Sequence, residues 1–231
     1  MDSFYYHDIF STKGIEYLLI ISFFLVFIPF YRYLKEVEYP LFSLAAIRLP
    51  RGIFFDRTHT WAYLKSEGHI EIGIDDFLQK ITGQVKIELL KHSGDSISRG
   101  EAFAEVSSGE RTLKLYSPIS GTLEGINKSA LRRFSKRTHS DYTENWLLSI
   151  QPKRWELEKP LLILGDKARQ WMQNERGRLR DVLVFALQKY DSQLQPVLLQ
   201  EGGELADGAL EELPKEIWEE FQSEFIDAAK T

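Results

Sequence analysis

Apolar residues fill the stretch Ile15 to Tyr31, "IEYLLIISFFLVFIPFY", and Glu16 is its only charge. Carried on to Leu34 it reaches about 20 residues, roughly 30 Å of helix, which matches a bilayer core and predicts an N-terminal transmembrane helix. Tyr5, Tyr6, Tyr17, Tyr31 and Tyr33 set aromatic rings around the expected interfaces. Pro29 predicts a kink in the last turn. A cleaved signal peptide is the alternative. It asks for a basic leader and a small-residue cleavage site, whereas this leader carries Asp2 and Asp8 and the exit reads "PFYRYLKEVEYP". Lys13 precedes the span, and Arg32, Lys35, Arg48, Arg51 and Arg57 follow it. The positive-inside rule then sets the N-terminus outside and the globular part in the cytoplasm, a single-pass protein of the cell (inner) membrane.

Beyond the span the pattern changes twice. Residues 36–51 read as a linker, with breakers at Pro40 and Pro50. From Gly52 the period shortens to that of strands. "IFFDRTHTWAYLKSEGHIEIGI" predicts two strands around a Glu67-Gly68 turn. "DDFLQKIT" predicts a short helix, capped by Asp75, with Phe77, Leu78 and Ile81 on one face and Gly83 closing it. "QVKIELL" is a strand, and turns are expected at Ser93-Gly94-Asp95 and Arg99-Gly100. "EVSSGERTLKLYSPISGTLEGIN", Glu105 to Asn127, predicts a hairpin that returns through a Ser-Pro corner. A basic, irregular stretch separates it from a last strand on Trp146 to Ile150. After Pro160 the period becomes helical. Asp166 to Tyr190 carries an apolar face interrupted at Gly177, which suggests two helices. Pro214 to Lys230 carries a stripe of Ile217, Trp218, Phe221, Phe225 and Ile226. The expected division is 1–35 tail and anchor, 36–51 linker, 52–155 β domain, and 156–231 helical, acidic extension.

Composition narrows the chemistry. A net charge of -5 gives no general affinity for nucleic acid, and the absence of cysteine excludes disulfides, thiolate metal sites and thiol nucleophiles. His7, His59, His69, His92 and His139 make no short-spaced metal pair, so no metal is expected. There is no phosphate loop, no nucleophile elbow and no nucleophile–base–orienter set. Asp75-Asp76 reads better as a helix cap than as a carboxylate pair.

Several segments together resemble the glycine cleavage H-protein family, a lipoyl-type hammerhead fold. His59-Thr60-Trp61 is similar to that family's opening His-Glu-Trp. Ile72 to Leu90 is similar to its strand–helix–strand entry, Gly94 to Ser108 to the strand leading into the lipoyl hairpin, and Leu115 to Asn127 to the return strand with its Ser-Pro corner. Asp141 to Pro152 resembles the Tyr-x-x-Gly-Trp-Leu close, with Asn145 where the family has glycine. The resemblance covers about 100 residues, in order and at the right spacing. It implies a mainly β barrel-sandwich hybrid, here with an N-terminal transmembrane helix and a C-terminal helical extension. His59 becomes a structural position.

The departure falls on the residue the family acylates. Counted back from Tyr116 without a gap, the lipoylated lysine lands on Glu110, and a carboxylate cannot form the amide. Lys114 is the nearest amine, four positions later in a strand pinned by its corner. The expected protein is therefore no enzyme and carries no cofactor. It is a membrane-anchored scaffold or accessory subunit of a membrane complex, built on a degenerate H-protein-like domain and meeting other protein subunits. The alternative is a lipoyl carrier modified at Lys114. A membrane-fusion adaptor is a third class, but the chain lacks its coiled-coil hairpin. Candidate partner contacts are Arg111 on the hairpin, the basic cluster Arg132, Arg133, Lys136 and Arg137, and Trp218, Phe221 and Phe225 as a helix that grips another subunit. Against each stands a plain structural reading: a solvated turn, a soluble loop, and a helix packed on its own domain.

Overall fold

The structure is a computed structural model that describes residues 9–36, 49–134, 142–190, 208–211 and 213–230. The chain divides into two compact units, Met1–Pro40 and Leu41–Thr231.

The first unit is one helix, α1, Ile9–Glu36, with Pro29 inside it. Its residues Tyr17 to Phe30 are exposed on every face, and Phe23, Phe27 and Tyr31 stack at i, i+4 spacing. The predicted membrane anchor is not upheld: among the described residues no helix is long and apolar enough to cross a membrane. That removes the transmembrane helix from the expected fold class.

The second unit is mainly β. Strands β1 (Phe54–Phe55), β2 (Thr60–Leu64), β3 (Ile70–Ile74), β5 (Ser96–Ile97), β8 (Gly121–Ile126) and β9 (Leu148–Pro152) form an antiparallel sheet in the order β1-β2-β3-β9-β8-β5. β4 (Lys86–Leu89), β6 (Ala102–Ser108) and β7 (Arg111–Tyr116) form a second, in the order β4-β6-β7. The expected turn joins β2 to β3, where Gly68 takes φ +91° to reverse the chain. β3 lies in the middle of its sheet, and all five of its residues are buried. Ile72, Phe103, Val106, Leu113, Leu115 and Ile150 fill the core between the sheets.

Helix α2 (Asp76–Thr82) starts and stops where its sequence signals fall. Asp75 Oδ1 accepts from the Leu78 N–H at 2.9 Å, and Gly83 ends the helix at φ +65°. Phe77, Leu78 and Ile81 bury the predicted face. The stretch read as irregular contains a helix, α3 (Lys128–Phe134). Asn127 Oδ1 caps it through the Ala130 N–H at 3.0 Å, and Ala130 and Phe134 bury its inner side. Two apolar anchors in seven residues are too few to show as a helical period. A short helix, α4 (Trp155–Glu158), brings buried Glu158 against the backbone N–H and hydroxyl of Ser120.

Helix α5 (Asp166–Tyr190) is continuous, not two helices. Nothing lies within 4 Å of the Cβ that Gly177 lacks, so the glycine costs helix propensity of about 1 kcal/mol without forcing a break. The last element is α6 (Lys215–Glu220), which loosens into a π-helical turn over Phe221–Ile226 and a 3-10 turn over Asp227–Ala229.

Candidate functional site

β6 and β7 meet in register from Ala104↔Leu115 to Ser108↔Arg111, which leaves Gly109 and Glu110 as a two-residue tip. Gly109 takes φ +63°, and both tip residues face solvent. Glu110 therefore stands at the apex of the hairpin. Lys114 lies down the return strand, directly across from Glu105, with an exposed side chain. Its backbone N–H donates to Gln222 Oε1 at 2.8 Å. The register that aligns Leu113 and Leu115 with the core face keeps Lys114 on the opposite face. A shift that raised Lys114 to the tip would turn those leucines outward or strip several paired rungs.

β7 is an edge strand, and edge strands need cover. Here the cover is the segment Gly208–Lys230. It begins against the end of α2, where the Gly208 and Leu210 N–H groups donate to the carbonyls of Lys80 and Ile81 at 2.7 and 2.8 Å. Arg111 ties it to the hairpin. Its guanidinium donates to the carbonyls of Glu211 and Leu213 and lies 5.5 Å from the Trp218 ring. The Tyr116 hydroxyl donates to Asp227 Oδ1 at 2.6 Å, and Lys230 sits over the Tyr116 ring. Burial, together with the negative Asp227 carboxylate, holds the Tyr116 phenol well above its ordinary pKa.

Trp218, Phe221 and Phe225 are buried in this contact, and the Trp218 indole N–H donates to the Leu210 carbonyl at 2.6 Å. They do not form a free stripe for another subunit, because their own β domain takes them. Arg111 is likewise committed to the tail and is no open contact on the hairpin. Arg132 is exposed on α3, while Arg133 is half-buried and donates to the Glu144 carbonyl and Asn145 Oδ1. Lys136 and Arg137 lie outside the described residues. No group of three or more His, Asp or Glu that would hold a metal occurs among the described residues.

One cluster was legible only in pieces. His59 is fully buried, with backbone φ +60°. Its ring stacks on Phe77, Trp171 and Phe225 at centroid distances of 4.6, 5.1 and 5.2 Å. Nδ1 is 2.8 Å from Asp75 Oδ2, and Nε2 is 3.6 Å from Glu175 Oε2. The second contact is an ion pair rather than a hydrogen bond. Burial alone would lower the His59 pKa, but the two carboxylates outweigh it and raise the value to about 9. Burial would raise that of Glu175, yet His59 and Arg178 together hold it below the ordinary carboxylate value. The imidazolium joins α2, α5 and the tail. Glu175 is 116 positions from His59 in the chain, so no local spacing signals the pair.

With this geometry in view, the comparisons with known proteins agree in kind. The family model described as glycine cleavage H-protein matches residues 53–175, just over half of the 231-residue chain. The probable glycine cleavage system H protein of Thermococcus kodakarensis is 26% identical over 118 residues, covering 51% of this chain and 87% of that protein. The glycine cleavage system H protein of Rubrobacter xylanophilus is 32% identical over 127 residues, covering 55% and 98%. The crystal structure of the H protein from Mycobacterium marinum aligns with a TM-score of 0.41 and 24% identity, over 46% of this chain and 87% of that one. The molecule is thus a mainly β, H-protein-like domain with additions at both ends. The chain belongs to the glycine cleavage H-protein family.

Proposed function

We propose that this chain is a family member without the acyl cargo, a non-enzymatic scaffold or accessory subunit that meets other proteins through a rigid β domain. The observation that carries the reading is the hairpin register, with Ser108 opposite Arg111 and Glu110 at the apex. An amide-linked acyl arm needs an amine nucleophile. Glu110 offers a carboxylate, so the residues at the tip do not fit a lipoyl group. A domain that keeps its scaffold while losing its reactive side chain retains shape and surface, and those suit binding. Intact-mass measurement of the protein purified from its own cells tests this: the expected mass is that of the unmodified chain, and a lipoyl increment sinks the reading.

The second reading is a lipoyl carrier modified at Lys114. It is favoured by the exposed side chain of that lysine on the hairpin. Peptide mapping of any modified protein separates the two, because an acylated Lys114 blocks tryptic cleavage at that residue.

A further inference from the structure

The segment Gly208–Lys230 lies beyond the residues that the family model matches, which end at 175. It is an addition to the domain, yet its apolar residues join the domain's hydrophobic core, and it lies in a groove that runs from the end of α2, along the edge of β7, to the Gly100 turn, with Arg178 of α5 bonded to its Glu224 and Phe225 carbonyls. We infer that this groove is a peptide-binding groove, that its ligand class is a short amphipathic helix with aromatic residues spaced as Trp218, Phe221 and Phe225, and that the chain's own tail is its resident, detachable occupant.

Three observations support detachment as a unit. Among the described residues no strand pairing ties the tail to either sheet. Its polar ties at the hairpin, from Arg111, Lys114 and Tyr116, sit along the rim while the aromatic stripe fills the floor, an arrangement typical of interfaces with a buried anchor and a polar border. The helix also loosens to π geometry over Phe221–Ile226, the turn that carries Phe221 and Phe225. Such turns are rare and gather at functional positions. A resident tail closes the groove to competing helices by mass action, because an attached ligand acts at high effective concentration. The hairpin apex, Gly109 and Glu110, stays exposed with the tail in place. A partner bearing the same aromatic spacing would enter when the tail leaves.

The test uses the full chain. Trp218→Ala/Phe225→Ala weakens the tail in place, and a fluorescent peptide of residues 208–230 is then added. Anisotropy is expected to show the peptide binding the double variant at least tenfold more tightly than the unaltered chain. A peptide bearing both alanines should bind neither. Equal binding to both chains, or none to either, overturns the inference. Because the double variant loses core volume, a rim variant supplies a second reading. In Gln222→Ala/Asp227→Ala the Gly208 and Leu210 amides should exchange at least tenfold faster, with Leu123 and Leu147 unchanged. A parallel rise at all four would mean that the tail is one cooperative piece with the sheets, and the idea fails. Neither result depends on whether the hairpin is acylated, which intact mass decides separately.

Discussion

His59 Nδ1 lies 2.8 Å from Asp75 Oδ2, and both side chains are fully shielded from solvent. A buried charge pair of this kind is held by its partners and not by water. The His59 pKa is raised from 6.5 to about 9 in the fold. A raised value means that the folded state holds a proton the unfolded state gives up. The stabilisation is therefore complete below about pH 6.5 and is lost as pH rises through 9. Glu175 has the opposite sign: its lowered pKa gives stability above the ordinary carboxylate value of 4.5, lost as pH falls. Urea midpoints measured from pH 4 to 10 should be highest near pH 5 to 6.5 and decline towards pH 10. A profile flat from 6 to 10 would show that His59 is neutral in the fold.

Two substitutions separate the roles of Asp75. The Asp75→Asn side chain still accepts from the Leu78 N–H, but it removes the charge that holds the imidazolium. Asp75→Ala removes the cap as well. Loss of one partner from a buried pair costs about 3 kcal/mol or more, and loss of a cap adds about 1 kcal/mol. Denaturant unfolding should rank wild type above Asn and Asn above Ala. An NMR titration of the His59 ring should show its pKa falling in both variants. An unmoved titration would place the controlling charge on Glu175 alone.

Local signals were enough for the β domain and not for what holds the tail. Asp75 and Gly83 bracket α2 because cap and stop act within a turn of chain. The strands and the hairpin tip follow from alternation and from Gly68 and Gly109. The tail's packing was open, since an aromatic stripe at helical spacing suits another subunit and its own domain equally well. Only the placement of Arg111 beside the Glu211 and Leu213 carbonyls decides it. The anchor was read from an apolar composition alone, and among the described residues no helix is both long and apolar enough to cross a membrane. The His59–Glu175 pair joins elements that no window of sequence spans.

Gly73 offers a sharper test of the core. A Cβ there would meet the Trp61 ring at 2.6 Å and the Asn145 carbonyl at 2.9 Å. Trp61 is itself held by its indole donation to the Ile74 carbonyl at 2.9 Å. The ring cannot retreat without breaking that bond. Gly73→Ala should therefore destabilise by roughly 1–3 kcal/mol, read as a lowered thermal midpoint. The matched change at Gly125, where the nearest atom is Ser149 Cβ at 3.5 Å, should cost less. Equal losses would mean that the sheet adjusts freely around Trp61.

Glu110→Lys puts an amine at the apex of the hairpin without touching the core. Glu110 is exposed, so the change should alter stability by no more than about 0.5 kcal/mol. The flanking register, the Gly109 turn and the Ser-Pro corner all stay in place. Presentation of the side chain then becomes the one thing that differs between variant and wild type. In cells with an active lipoylation system, intact mass should show a lipoyl increment on the variant and none on the wild type or on Lys114→Arg. If wild type gains the increment and Lys114→Arg loses it, the carrier site is Lys114 and the carboxylate at the tip is incidental. If the variant stays unmodified, the loss of cargo reaches beyond one residue, into the surface that a modifying enzyme must recognise.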